Sequence, residues 1–175
     1  MPRLVFIVGG ARSGKSGFAQ RRVESEPAAG KTFIATCPAL DDEMRGRIER
    51  HRADRAGRGW NTIEEEVDLA AALAASPAGD AVLIDCLTLW INNVMRRSGQ
   101  PDEDRMAELA RETVCAARSR SGLVVMVANE VGLGIVPADP LSRLFRDLSG
   151  RVNQVVAANA DEAHFMVAGM SYRLK

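Results

Sequence analysis

The chain has 175 residues, enough for one domain with a real core, and is 46% hydrophobic and 26% charged. Its 23 basic residues balance 23 acidic ones, and a formal net charge of +0 excludes a whole-protein field for capturing nucleic acid or an anionic membrane. No apolar run approaches the length that crosses a bilayer, so the expectation is a cytoplasmic protein with no membrane span and only local attraction for phosphate.

The first predicted element is a strand over Leu4–Val8, an apolar run too short for a signal peptide. Gly9-Gly10-Ala11-Arg12-Ser13-Gly14-Lys15-Ser16 follows and matches G-x-x-x-x-G-K-[ST] at Gly9, Gly14, Lys15 and Ser16. It opens a predicted helix, Ser16–Glu24, that carries Phe18, Ala19 and Val23 on one side. A strand, this loop and a helix are the context a P-loop requires. The glycines let main-chain N–H groups converge on a phosphate chain, and the helix N-terminus adds partial positive charge. Lys15 would neutralise the β- and γ-phosphates, and Ser16 would ligate Mg²⁺. Lysine otherwise occurs only at 31 and 175, so an arginine-rich chain keeps a compact, flexible ammonium where the phosphates require one.

A second strand is predicted over Thr32–Thr36. The acids of Asp41-Asp42-Glu43-Met44 then open a helix on which Met44, Ile48 and His51 share one face. That pattern turns His51 toward the protein body and points Arg45, Glu49 and Arg52 away from it. A lone histidine on such a face is ordinarily a core or boundary residue. Ala53–Asn61, rich in arginine and glycine, reads as a mobile surface loop.

Asp68–Ala75 is helical in pattern, and Ala81–Cys86 is the next buried strand. Asp85, near its end, fits either the acid that holds a P-loop metal or the N-cap of a helix over Thr88–Arg97; the two roles are compatible. A longer amphipathic helix is predicted over Asp102–Ser119 and a strand over Leu123–Ala128. Asn129–Pro137 is a glycine-rich loop at that strand's carboxyl end, so it is either a border of the ligand site or an ordinary connection. Pro140–Asn159 is helical with a bend expected at Gly150. Ala163–Ala168 is a strand with His164 as a structural residue inside it, and Ser171–Leu174 adds a short edge strand. Cys37, Cys86 and Cys115 lie in or beside apolar runs and read as buried, reduced thiols. Strands without alternation, interleaved with helices, predict an α/β fold: a mainly parallel sheet with helices on both faces, forming one P-loop nucleotide-binding domain over residues 1–175.

Several segments together resemble the bifunctional adenosylcobinamide kinase / adenosylcobinamide-phosphate guanylyltransferases of cobalamin biosynthesis. They are the P-loop, Ala35-Thr36, Leu40-Asp41-Asp42-Glu43-Met44, Arg47-Ile48, His51-Arg52, and Trp60, Thr62 and Glu64. Asn129-Glu130-Val131-Gly132-Leu133-Gly134-Ile135-Val136-Pro137, Phe145-Arg146-Asp147 and Gly150-Arg151-Val152-Asn153-Gln154 complete the set, which runs nearly end to end. The resemblance implies two reactions. A triphosphate's γ-phosphoryl group passes to the hydroxyl of the aminopropanol arm of adenosylcobinamide. GTP then transfers GMP to a histidine with loss of pyrophosphate, and the phosphorylated cobinamide takes that GMP to give adenosylcobinamide-GDP.

The histidine that matches is His51, which the resemblance makes the nucleophile beside Lys15. It also implies a GTP site lined by Gly9, Gly10, Ala11, Arg12, Ser13, Gly14, Lys15, Ser16, Ala35, Thr36, Cys37, Arg52, Ala53, Asp54, Arg55, Glu64 and Asp85. Ser16 and Asp85 would hold Mg²⁺; Asp85 stands where some relatives carry Glu, a shorter reach. The implied ligands are GTP, ATP and Mg²⁺, the implied partner is a small-molecule corrinoid, and family members are often homotrimers. The competing reading is a P-loop small-molecule kinase with no nucleotidyl step. A GTP-dependent switch would want Asn-Lys-x-Asp and Asp-x-x-Gly, and Asn129-Glu130-Val131-Gly132 and Asp85-Cys86-Leu87-Thr88 match neither.

Overall fold

The computed structural model describes residues 3–38, 42–97 and 99–175, and the backbone alone of Glu43, Arg47 and His51. Leu40 and Asp41, which contribute to the resemblance, lie outside the described residues, as does the direction of the His51 ring.

The chain runs β1 (Arg3–Gly9), α1 (Lys15–Glu24), β2 (Lys31–Ala35), α2 (Asp42–Arg55), β3 (Trp60–Glu64), α3 (Leu69–Ala75) and β4 (Ala81–Asp85). It continues through α4 (Leu87–Arg97), α5 (Glu103–Ser119), β5 (Leu123–Asn129), α6 (Pro140–Asn159), β6 (Glu162–Val167) and β7 (Met170–Arg173). The strands form one sheet in the order β3-β2-β4-β5-β1-β6-β7. Every pairing is parallel except β6 with β7.

The missing alternation in the central strands has a direct cause. β1 sends Leu4, Phe6 and Val8 into a core shared with α3, α4, α5 and α6. It sends Val5 and Ile7 into a second core closed by Ala19 and Val23 of α1. Each face is therefore apolar because each face is covered. Asp68, Asp102 and Asp139 cap α3, α5 and α6 by accepting from the backbone N–H of Ala71, Arg105 and Ser142. Where a bend is expected, α6 runs through Gly150 as one helix.

Two expectations fail here. Ala53–Asn61 is not a loop throughout: α2 runs to Arg55, and Trp60 starts β3, a parallel edge strand on β2. Trp60 is tied down by donating from its indole Nε1 to Glu24 Oε1 at 3.1 Å and by edge contact with Phe33. Nor are the thiols uniformly buried. Cys86 is, Cys37 is half-buried, and Cys115 is exposed, because α5 turns Val114 and Ala117 inward and leaves position 115 on its outer side. His164 fits its structural reading, packed 5.3 Å from the Phe18 ring and 3.5 Å from the Glu162 carboxylate.

Candidate active site

The carboxyl ends of β1, β5, β4 and β2 lie side by side, with Gly9 opposite Asn129 and Ala35 opposite Asp85 in the ladder. Gly9 of the P-loop and Asp85 both end their strands at that edge, the usual ligand side of a parallel sheet.

The P-loop is fixed by its glycines. A Cβ on Gly9 would stand 2.5 Å from the Met166 carbonyl oxygen of β6, so no side chain fits there. Gly14 has a φ of 89°, in the left-handed region, and lies against Gly169. Gly169 belongs to the turn between β6 and β7, where it and Ala168 both have positive φ, as a tight hairpin requires. Its N–H donates to the Ser13 carbonyl at 3.0 Å, so the hairpin braces the P-loop from outside. Lys15 is buried, and its Nζ donates to the Gly10 carbonyl at 3.0 Å, which folds the ammonium over the loop.

Two cavities lie at this edge of the sheet, and Ser16 of the P-loop lines the smaller. The larger, about 550 Å³, lies between α2 and the ends of β2, β3 and β4, within the usual range for a small-molecule site. Ala35, Cys37, Arg52, Arg55, Glu64 and Asp85, which the resemblance assigns to a GTP site, are on its wall. The smaller, about 190 Å³, joins Ser16 of α1 to Asp54 and Arg55 of α2 and to Asp85 of β4. Asp85 and Arg55 border both.

Arg45, Glu49 and Arg52, expected to point away from the body, are exposed, while Met44 and Ile48 are half-buried. The three polar side chains nevertheless border the larger cavity beside Ile48, so α2 presents charge as well as an apolar side chain to it. Arg52 is held there by an ion pair with Glu64. Met44 reaches the cavity wall through its Sδ, 3.6 Å from Cys37 Sγ.

Thr36 is present at this edge but faces away from the cavity. Its hydroxyl donates to the Cys86 carbonyl at 2.8 Å and accepts from the Cys86 N–H at 2.8 Å. Its carbonyl accepts from Asn93 Nδ2 at 2.7 Å. Thr36 therefore clamps the end of β2 to the end of β4 and so positions Asp85. Ala53 is exposed on α2 and lies on neither cavity wall.

Arg55 is the residue that sequence reasoning undervalues. Only 6% exposed, it holds its guanidinium 3.5 Å over the Phe33 ring centroid. Burial pulls its pKa down, and the Asp85 carboxylate works against that pull. Phe33, which carries this contact, gives no functional signal in the sequence beyond its place in an apolar strand. Burial and the same Asp85 charge push the Cys86 thiol up to about 11, so it is an inert thiol at neutral pH.

Five buried polar atoms at this edge have no partner among the described residues: Ser13 Oγ in the P-loop, Asp85 Oδ2, Arg55 Nε, and the amide oxygens of Asn93 and Asn153. Buried polar groups are ordinarily satisfied, so Arg55 Nε and Asp85 Oδ2, which border the same two cavities, and Ser13 Oγ in the P-loop are groups that could take a ligand. A phosphate chain accepts from the hydroxyl and the guanidinium, and a divalent cation takes the carboxylate.

The family model described as Cobinamide kinase / cobinamide phosphate guanyltransferase (CobU) matches residues 5–174. The bifunctional adenosylcobalamin biosynthesis protein CobP of Pseudomonas aeruginosa is 40% identical over 171 residues, which cover 97% of this chain and 95% of that protein. The bifunctional adenosylcobalamin biosynthesis protein CobU of Salmonella typhimurium is 37% identical, with 98% of this chain and 99% of that one covered. The chain belongs to the cobinamide kinase / cobinamide phosphate guanyltransferase family. In fold it is similar to a solved ATPase domain, with a TM-score of 0.54 at 16% identity over 94% of this chain and 69% of that one. The flagellar accessory protein FlaH of Methanocaldococcus jannaschii gives a TM-score of 0.52 at 15% identity, over 99% of this chain and 78% of that one.

Proposed function

We infer that this chain carries both activities of its family, cobinamide kinase and cobinamide phosphate guanylyltransferase, in adenosylcobalamin biosynthesis. The bifunctional names of its relatives favour this over a kinase without a nucleotidyl step. The observation that carries the detailed reading is the set of open polar atoms, Ser13 Oγ, Asp85 Oδ2 and Arg55 Nε, around the P-loop.

GTP, or ATP in the kinase step, lays its phosphates on the main-chain amides between Gly9 and Ser16. Lys15, hinged at 3.0 Å on the Gly10 carbonyl, swings to the β- and γ-phosphates. The nucleoside end extends toward the larger cavity, past Arg55 and under Arg52 and Glu64. Ser16 and Asp85 share the wall of the smaller cavity, and the open Oδ2 fits a magnesium ion there. When bound, that ion neutralises charge on the phosphate oxygens.

His51 is the residue that takes GMP. It lies on α2 one position before Arg52, which lines the larger cavity, and three before Asp54, which lines the smaller. A neutral imidazole nitrogen, available at pH 7 with an unperturbed pKa of about 6.5, attacks the α-phosphorus. The bond to the β-phosphate oxygen breaks and pyrophosphate leaves. The phosphorylated cobinamide then displaces the histidine. Exchange of labelled pyrophosphate into GTP tests the step. His51→Ala should abolish exchange and spare phosphorylation of cobinamide, and mass spectrometry should find a GMP-sized adduct on the wild-type peptide containing residue 51. Undiminished exchange in the variant would refute the assignment.

On the same reading the protein resides in the cytoplasm and self-assembles as the trimer that the resemblance implies. No helix of the described residues is long and apolar enough to cross a membrane. β7 is an open sheet edge whose Met170 and Tyr172 are each 71% exposed, a surface that a second copy would cover. A monomer at every concentration in sedimentation analysis would count against assembly.

A further inference from the structure

Beyond the nucleotide cavity, the molecule exposes an apolar loop whose base is bonded to the P-loop. Between β5 and α6, Leu133 is 80% exposed, Ile135 97% and Val136 63%. Large aliphatic side chains standing in water at such a density on one short loop call for an apolar ligand.

The loop is anchored at both ends. The Asn129 N–H donates to Thr88 Oγ1 at 2.6 Å, and the Glu130 N–H donates to the Gly9 carbonyl at 3.1 Å. The Gly132 N–H donates to the Glu130 carboxylate at 2.7 Å. At the far end, Arg143 Nη1 donates to the Pro137 and Ala138 carbonyls at 2.9 and 2.6 Å. The apolar crown is thus held by a pinned base, and that base is hydrogen-bonded to the first glycine of the P-loop.

We propose that Leu133, Ile135 and Val136 form the platform for the corrin macrocycle of the acceptor. This rests on the reading of the acceptor as a corrinoid given above. In the kinase step the acceptor hydroxyl must approach the γ-phosphorus from the side opposite the leaving oxygen, while the rest of the acceptor finds support outside the P-loop. A corrin is a broad conjugated ring fringed with methyl groups and carboxamide arms. Its methyl-bearing face suits three aliphatic side chains, and its amide arms suit the Asn129 and Glu130 side chains at the loop's base. The contact is remote from the reacting atoms, so its binding energy serves to hold the arm over the phosphate.

The test is a double variant, Leu133→Ser with Ile135→Ser, assayed for phosphorylation of adenosylcobinamide, with the KM for the corrinoid read separately from that for the nucleotide. Both side chains point into solvent, so thermal melting should match wild type. The expected result is a corrinoid KM raised about tenfold or more, an unchanged nucleotide KM, and recovery toward wild type in Ile135→Leu compared with Ile135→Ser. Unchanged corrinoid KM overturns the proposal. So does a raised KM that appears only together with dissociation of an oligomer in sedimentation, which would assign the loop to contact between copies. Wild-type protein that phosphorylates no adenosylcobinamide fails the reading of the acceptor, whereas wild-type activity with an unchanged corrinoid KM in the variant fails this proposal alone.

Discussion

Replacing Arg55 by Met should separate stability from function in a direction opposite to that of most buried residues. In the nucleotide-free protein the guanidinium gains a contact with the Phe33 ring at 3.5 Å, worth about 0.5–2 kcal/mol. Against this stand its burial and the unpartnered Nε, a cost of about 1–3 kcal/mol. Methionine keeps the aliphatic packing on Phe33 and removes both contributions, so the net change runs from about 1 kcal/mol of destabilisation to about 2.5 kcal/mol of stabilisation. For a chain of this size Tm should fall by no more than about 2–4 °C and could rise by about 5–10 °C. Nucleotide binding should respond far more. One charge-assisted hydrogen bond to phosphate is worth about 1.5–3 kcal/mol, so GTP should bind about ten- to a hundredfold more weakly. Scanning calorimetry and titration calorimetry with GTP and magnesium measure the two quantities on one preparation. A large fall in Tm with unaltered GTP affinity would refute the reasoning and make Arg55 a structural residue.

Thr36→Val keeps the shape of the side chain but strands the buried N–H and carbonyl of Cys86, at about 2–4 kcal/mol of stability measurable by chemical denaturation. Because the clamp positions Asp85, kcat should fall in the survivors more than GTP affinity does. Gly9→Ala would press a Cβ against the Met166 carbonyl at 2.5 Å and should displace the P-loop, with nucleotide binding by equilibrium dialysis lost while the far-UV spectrum stays unchanged. Asp161 is held below the usual carboxylate range by the Leu4 N–H, with help from Arg118. A lowered folded pKa contributes stability that is present above the unfolded value, about 3.9, and is lost as pH falls through the folded one. Asp161→Asn should therefore be less stable than wild type at pH 7, and the gap should close on acidification below about pH 4 in urea melts.

Sequence-based reading is strongest where one physical rule acts alone. β1, β2, β4 and β5 are buried on both faces, so their apolar runs are unambiguous. The capping aspartates mark α3, α5 and α6 within a residue. β3 escapes such a reading because an edge strand buries little: of Trp60–Glu64 only Trp60 and Ile63 are half-buried, and an arginine- and glycine-rich run precedes them. The place of Arg45, Glu49 and Arg52 beside the cavity is hidden because charge on an exposed helix face ordinarily signals solvent, and no local pattern separates open solvent from the rim of a cavity. For Thr36, the sequence places it at the site but cannot show that its hydroxyl is already committed to Cys86. The P-loop is legible in full, since its glycines answer local steric demands that only the backbone makes.

The hydrogen bond from Gly169 to Ser13 gives the phosphate grip an unusual place in the order of assembly. Loop and turn are separated by more than 150 residues of sequence and joined through β1 and β6, so their meeting is among the most non-local contacts in the fold and is favoured late. A nascent or partly folded chain thus holds the complete phosphate-binding motif without its brace. Nucleotide can reward only molecules that have brought the sheet into final register, which makes triphosphate a selective stabiliser of finished protein and no aid to its early folding.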